Sequence, residues 1–420
     1  MEVMMTDRTE NSKTPSLIGG GMIIAGTAVG AGMFAIPVVS AGMWSMWATL
    51  ALIITWFCMM HSGFMILETN LNYPQGSSFD TIVKDTLGKG WNIFNGITVA
   101  FVGYILAYAY ISGGGSIVSQ TLETTIGYTP PQKLAGILFA LGLAFFVWLS
   151  TKAVDRITTI LIFGMIITFF MSVSGLTFNI KAEYLFNTLT TEKISYFPFI
   201  FAALPALLTS FGYHHSVPSL MKYYGKSPRK IITCIIFGTV LALIFYIFWL
   251  FAILGNIPRS HFGDIIAQGG NVGVLVGAVS NVIDGKLTSN LLSMFANMAV
   301  ASSFLGVTLG LFDYLADLFK FDDSRLGRTK TAAVLYIPPL IGGIFFPNGF
   351  IIAIGFAGLA ATVWAAIVPA LMAKASRQKF GNPLFRTWGG NILVYIIIIY
   401  GIVIAICHTL SMLNKLPTFG

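Results

Sequence analysis

Long apolar runs alternate with short clusters of charge along the whole chain. Nine runs free of Asp, Glu, Lys and Arg read as membrane crossings: 14–67, 90–122, 134–151, 157–180, 194–221, 231–258, 287–312, 331–373 and 387–414. A membrane helix needs about 20 apolar residues at about 1.5 Å of rise each. The runs 14–67 and 331–373 are therefore long enough for two helices apiece, turned at Gly42 and Trp44 and at Phe346-Pro347-Asn348-Gly349. The shortest run, 134–151, borrows Gln132 and Lys133 at one end. The expectation is an all-α membrane protein of eleven transmembrane helices.

Composition agrees. Of 420 residues, 56% are hydrophobic and only 10% charged, against about 25% charged in soluble domains. A cytosolic enzyme or a small secreted scaffold is excluded. Cys58, Cys234 and Cys407 all lie inside apolar runs, with no disulfide or zinc spacing. The net charge of +8 is explained by its distribution. With the N-terminus inside, only Lys133, Lys181, Lys193, Arg259, Lys286 and Lys415 fall outside, and the rest of the 24 basic residues fall inside. That bias puts the N-terminus in the cytoplasm and the C-terminus in the periplasm. It reads as a topology signal and not as a nucleic-acid site. Residues 1–14 form a cytoplasmic tail, with no cleavable signal peptide after it.

Two crossings carry signs of a break halfway. The first places Gly26, Gly30 and Gly32 near mid-membrane and Pro37 shortly after, which weakens the helix in one place. The sixth brackets Ser210-Phe211-Gly212-Tyr213-His214-His215 between Pro205 and Pro218. Irregular backbone at that depth is tolerated only inside protein or along a cavity. Helices one and six run in opposite directions, so residues 15–180 and 194–373 read as two five-helix repeats of inverted topology, with 387–414 as an added eleventh helix. Ser78-Phe79-Asp80-Thr81-Ile82 and His261-Phe262-Gly263-Asp264-Ile265 sit at matching repeat positions. Interrupted segments in corresponding places point to a transporter's binding site.

Four segments carry a family likeness: Gly26-Thr27-Ala28-Val29-Gly30-Ala31-Gly32-Met33-Phe34, Leu67-Glu68-Thr69-Asn70-Leu71-Asn72-Tyr73, Ser210-Phe211-Gly212-Tyr213-His214, and Leu309 through Phe319. The chain resembles the bacterial hydroxy/aromatic amino acid permeases over nearly its whole length, and within them the tryptophan permeases more than the tyrosine permease. The resemblance implies a LeuT-type core of the APC superfamily, five helices plus five, in the bacterial inner membrane. It also implies import of an aromatic amino acid, foremost L-tryptophan, by proton symport.

An amino acid brings a carboxylate and an ammonium, and both lose water on entry. The N–H groups opening the outer half of helix one, at Gly30, Ala31 and Gly32, suit the carboxylate. Related transporters use a similar Gly-small-Gly turn. Carbonyls near Thr27 and Ala28 and near Ser210 and Phe211 suit the ammonium, with Gly26 loosening the helix ahead of them. For the aromatic side chain, Tyr104 and Tyr108 share an i,i+4 face, Phe211 and Tyr213 flank the second break, and Phe304 lies at mid-depth. Among ionisable groups, His214 and Glu68 are the proton-carrying candidates. Related transporters place an acidic gate residue near His214.

Ser302 and Ser303 leave a second coupling ion open. Paired hydroxyls here complete a sodium site in sodium-coupled relatives, and residues 157–180 hold no lysine to replace it. A sodium-coupled aromatic symporter and a non-transporting amino-acid-sensing receptor are thus the alternatives. The absence of a long loop argues against the receptor. Five scattered histidines argue against an enzyme, a metal or a cofactor, and the lack of a GxxxxGK[ST] segment argues against an ATP-driven pump. The expected partners are the amino acid, protons or sodium, and membrane lipids.

Overall fold

The computed structural model describes residues 16–75, 77–190, 194–282, 285–381 and 384–419. The tail 1–14 lies outside the described residues. Those residues form helices and turns, with no strand among them. Helix α1 (Leu17–Ala28) starts where the Ser16 hydroxyl accepts the Gly19 N–H at 3.0 Å, satisfying one of the free donors of a helix start. The chain bends by 51° into α2 (Ala31–Val39). A tight turn over Ser40–Met43 then reverses it into α3 (Trp44–Asn70). A Cβ on Gly42 in that turn would collide with the Phe199 ring.

There follow α4 (Phe79–Leu87), α5 (Lys89–Ile126), α6 (Gln132–Leu149), α7 (Thr151–Phe178) and the short α8 (Ala182–Leu185). A second interrupted pair comes next, α9 (Phe197–Ser210) and α10 (Ser216–Tyr224). Beyond it lie α11 (Pro228–Leu254), α12 (Phe262–Ala267), α13 (Val272–Val282), α14 (Lys286–Phe319), α15 (Arg325–Phe345), α16 (Phe350–Phe380) and α17 (Gly390–Met412). The Phe346–Gly349 turn separates α15 from α16 as expected.

Eight helices are long and apolar enough to cross a membrane, and the bent α1–α2 pair makes nine. A count of eleven also needs α9 with α10 and α15. Each half of α9–α10 is short because of its break. The start of α15 carries Arg325, Arg328 and Lys330, which lowers its hydropathy. The long helices alternate in direction. At the face where α1 begins, here the near face, the Tyr224 hydroxyl donates to the Ser16 carbonyl at 2.7 Å. Arg328 at the start of α15 donates to Val147 and Trp148 at the end of α6. At the far face, the Trp44 indole donates to the Tyr184 carbonyl at 3.0 Å, and Arg259 donates to the carbonyls of Ala41 and Gly42.

The near face is tied by charge. Glu68, fully buried at the end of α3, receives Arg377 Nε at 2.6 Å and Nη2 at 2.9 Å and the Thr387 N–H at 2.8 Å. The remaining Arg377 nitrogen donates to Asn391 at 2.8 Å. One bidentate pair thus joins α3, α16 and the segment entering α17. Closer to solvent, Asp85 of α4 accepts from Lys379 and from the Tyr73 hydroxyl, each at 2.6 Å. Those two donors, Lys379 first, hold its carboxyl below the usual carboxylate range.

Removing one partner of a buried pair strands the other charge, at a cost of about 3–5 kcal/mol. Arg377→Ala is expected to lower the stability of the detergent-purified protein by about that amount. Denaturant unfolding followed by helical circular dichroism measures it, and an unchanged midpoint would refute the assignment.

Candidate functional site

The first break begins at Val29, the last residue whose N–H reaches back into α1, donating to Ala25 at 2.7 Å. Gly30 is extended, and Ala31–Phe34 winds as a 3₁₀ turn. The carbonyls at the end of α1 and the N–H groups at the start of α2 therefore lack helical partners. The Ser303 hydroxyl of α14 accepts the Ala31 N–H at 3.0 Å. It occupies the space a Cβ on Gly30 would need, so a larger residue there would have to turn the Ser303 hydroxyl away. The second break runs from Phe211 to His215, between α9 and α10. The Tyr213 hydroxyl pins it to α3 by donating to the Met59 carbonyl at 3.1 Å.

The two breaks meet. The Tyr246 hydroxyl of α11 donates to the Ala28 carbonyl at 2.6 Å and also lies within hydrogen-bond reach of the Ser210 carbonyl. One hydroxyl proton faces two helix-end carbonyls, so this corner is rich in acceptors and short of donors. Thr27 and Ser216 join across it, hydroxyl to hydroxyl, at 3.2 Å. The end of α1 is negative and the start of α2 positive, as helix dipoles dictate, and a few residues separate the two.

A cavity of about 1190 Å³ reaches these groups. Gly19, Met22, Ile23, Phe79 and Tyr314 are among its wall residues toward the near face, and Gly30, Gly32, Ser210 and Ser303 line it at the breaks. Beyond the breaks, three buried rings close the far side. Phe34 lies 5.2 Å from Trp249 and 5.3 Å from Phe295, centroid to centroid. The cavity's exposed lining residues include Gly19, Met22 and Ile23 at the near face, and the three rings are buried on its far side.

Of the residues singled out in the sequence, Gly26, Thr27, Ala28, Gly30, Ala31, Gly32, Ser210, His214, Ser302 and Ser303 all line this cavity. His214 is 1% exposed, and neither ring nitrogen has a hydrogen-bond partner among the described residues. The structure places the others elsewhere. Tyr104 and Tyr108 turn to the α15 side, donating to the carbonyls of Val334 at 3.1 Å and Phe346 at 2.7 Å. Phe304 packs between Phe139 and Tyr336. Phe211 lies against Tyr246, and Tyr213 stacks on His214 from behind the break. Glu68 is held at the near face by Arg377 and is not among the residues lining this cavity. The two serines diverge: Ser302 donates back to Ala299 at 3.2 Å, while Ser303 caps Ala31.

The aromatic residues that do line the cavity include Tyr110, Phe169, Phe245, Phe295 and Trp364. Sequence reasoning missed all five. A signal existed for Tyr110, because Val99, Val102, Gly103, Leu106 and Tyr110 repeat at helical spacing and form the cavity face of α5. The Tyr104–Tyr108 stripe is the opposite side of that helix.

Two interrupted segments meeting beside a large cavity, among eight to nine helices able to cross a membrane, fit a multi-pass membrane transporter. The chain belongs to the tryptophan/tyrosine permease family, whose model matches residues 13–408. It is a permease and not an enzyme. It is 57% identical to the tryptophan-specific transport protein of Pseudomonas aeruginosa, over 97% of this chain and 98% of that protein. It is 49% identical to the low affinity tryptophan permease of Escherichia coli K12, over 99% of this chain and all of that one. The tyrosine permease of Enterobacter agglomerans shares 42%, over 97% of this chain and 99% of that protein.

Tyr246→Phe keeps the ring against Phe211 and removes the hydroxyl that donates at the two carbonyl ends. A buried acceptor left unpaired costs about 1–3 kcal/mol. The expected result is a loss of that size in thermal or denaturant stability of the substrate-free protein. Wild-type stability would refute the bridging role.

Proposed function

We propose that the chain imports L-tryptophan with protons across the bacterial inner membrane. The reading rests above all on the junction where the carbonyl ends of α1 and α9 converge on Tyr246, beside the donor end of α2 and at the head of the cavity. Such a junction offers both polarities a zwitterion needs within one small volume. Close relatives named as tryptophan transport proteins supply the choice of amino acid.

In this reading eleven helices cross the membrane, with α9–α10 and α15 included. Residues 15–180 and 194–373 form the inverted repeats of a LeuT-type core, and α17 is the added helix. The basic clusters make the near face cytoplasmic, so the cavity faces inward. The carboxylate sits on the N–H groups of Gly30, Ala31 and Gly32, and the ammonium takes the carbonyls near Thr27, Ala28, Ser210 and Phe211. The side chain lies in the part of the cavity walled by Tyr110, Phe169, Phe245, Phe295 and Trp364, where each well-placed ring pair contributes about 0.5–1.5 kcal/mol. Phe211 and Tyr213 support the second break from behind, and Tyr104, Tyr108 and Phe304 brace the surrounding helices.

His214 is the proton carrier in this scheme: it borders the cavity and has no competing hydrogen bond among the described residues. Glu68 serves the near-face tie. The serine geometry favours protons over sodium. A cation site needs acceptors that converge, whereas Ser302 and Ser303 point to different partners and Ser303 meets an N–H.

Radiolabelled L-tryptophan uptake into proteoliposomes tests the function, and accumulation is expected only under an inward proton gradient. His214→Ala should keep tryptophan counterflow and lose gradient-driven accumulation; full accumulation by the variant would clear His214 of coupling. Gly32→Val places a branched side chain where the carboxylate binds and is expected to abolish tryptophan binding in a scintillation proximity assay. Unchanged affinity would remove the carboxylate from that site.

A further inference from the structure

Helix α16 abandons α-geometry in mid-span. Over Thr362–Ile367 it widens to a π-turn, closed by the Val368 N–H donating to Val363 five residues earlier. The cause is local. Pro369 has no N–H, so the Ala365 carbonyl loses its helical donor, and the proline ring crowds that carbonyl. The Ser62 hydroxyl of α3 donates to Ala365 instead. A π-turn inserts one residue into the helical register, which rotates the side chains before it relative to those after it, and such turns recur at functional sites.

The residue presented by this insertion is Trp364. It lines the cavity, with its ring 6.0 Å from that of His214 in an edge-on arrangement. Its Nε1–H has no acceptor among the described residues, and both His214 nitrogens are equally without partners. The Trp364 ring and the His214 ring thus share one corner of the cavity with polar atoms free to meet what enters it.

We infer that Trp364, aimed by the π-turn, is the aromatic wall that selects an aromatic side chain over an aliphatic one of similar polarity. This rests on the assignment of the cavity to L-tryptophan, and adds which residue sets the preference and why it points there. The ring face is the selecting element, since an indole stacks on it and an isobutyl group gains little from it.

The test measures the KM for L-tryptophan and the inhibition constant of L-leucine on the same proteoliposomes. Trp364→Ala should raise the tryptophan KM about tenfold, the loss of one well-placed ring contact with its burial, and leave the leucine constant unchanged, so that their ratio collapses. Trp364→Phe, which keeps a ring, should stay within about threefold of wild type. An unchanged ratio in Trp364→Ala, or equal losses for both amino acids, overturns the inference. Should Trp364→Ala not fold, Pro369→Ala carries the test: it restores the missing N–H and lets α16 rewind, turning an intact Trp364 away. The same collapse of the ratio is expected, and a wild-type ratio in that variant overturns the inference. A wild-type protein that takes up no tryptophan would instead strike the underlying substrate assignment.

Discussion

Backbone hydrogen bonding is the constraint on which this structure turns. A helix in a membrane satisfies its own peptide groups, and any interruption at mid-depth exposes donors and acceptors that no lipid can pair. This chain interrupts two spans at matching depth, at Val29–Gly30 and at Phe211–His215. Each break must therefore be enclosed by other helices, and each released group must find a partner or face a polar cavity. The packing around the site follows from that. Ser303 serves the Ala31 donor, Tyr213 pins the second break to α3, and Tyr246 stands between the two carbonyl ends.

The satisfaction is incomplete in one direction. Acceptors outnumber donors at the Ala28–Ser210–Tyr246 corner, whereas the first donor of α2 is already paired with a hydroxyl. In the proposed reading, a solute carrying both signs would complete the first without disturbing the fold and would need only a serine rotation at the second. The free energy of recognition would then come from groups that folding left unsatisfied.

The breaks were legible in the sequence because their cause is local. Gly30 and Gly32 stand at the first break, Pro205 and Pro218 lie within the helices on either side of the second, and the Phe346–Gly349 turn likewise belongs to its own residues. The nature of the side-chain pocket was not legible. Tyr104 and Tyr108 lie at helical spacing as a binding pair would, yet which face of α5 meets the cavity is decided by the helices packed on it, not by α5. Glu68 is a similar case. Burial of a carboxylate is visible from its run, but its partner Arg377 is 309 positions away, and no local pattern joins them. Trp364 stood in an apolar run like any lipid-facing tryptophan, and only the effect of Pro369 on the register of α16 sets it apart.

The asymmetry of the cavity completes the physical picture. Near-face wall residues lie along α1, α5 and α14, while the buried rings of Phe34, Trp249 and Phe295 pack into an aromatic plug beyond the breaks. Carriage across the membrane requires the reverse arrangement as well, with the plug parted and the near-face walls closed. The three rings come from α2, α11 and α14, so the plug opens only if α2 and α11 move as a unit away from α14. Tyr246 ties α11 to the ends of both α1 and α9 through its hydroxyl. A movement that kept this junction intact would carry the site with it and shift the opening from one face to the other.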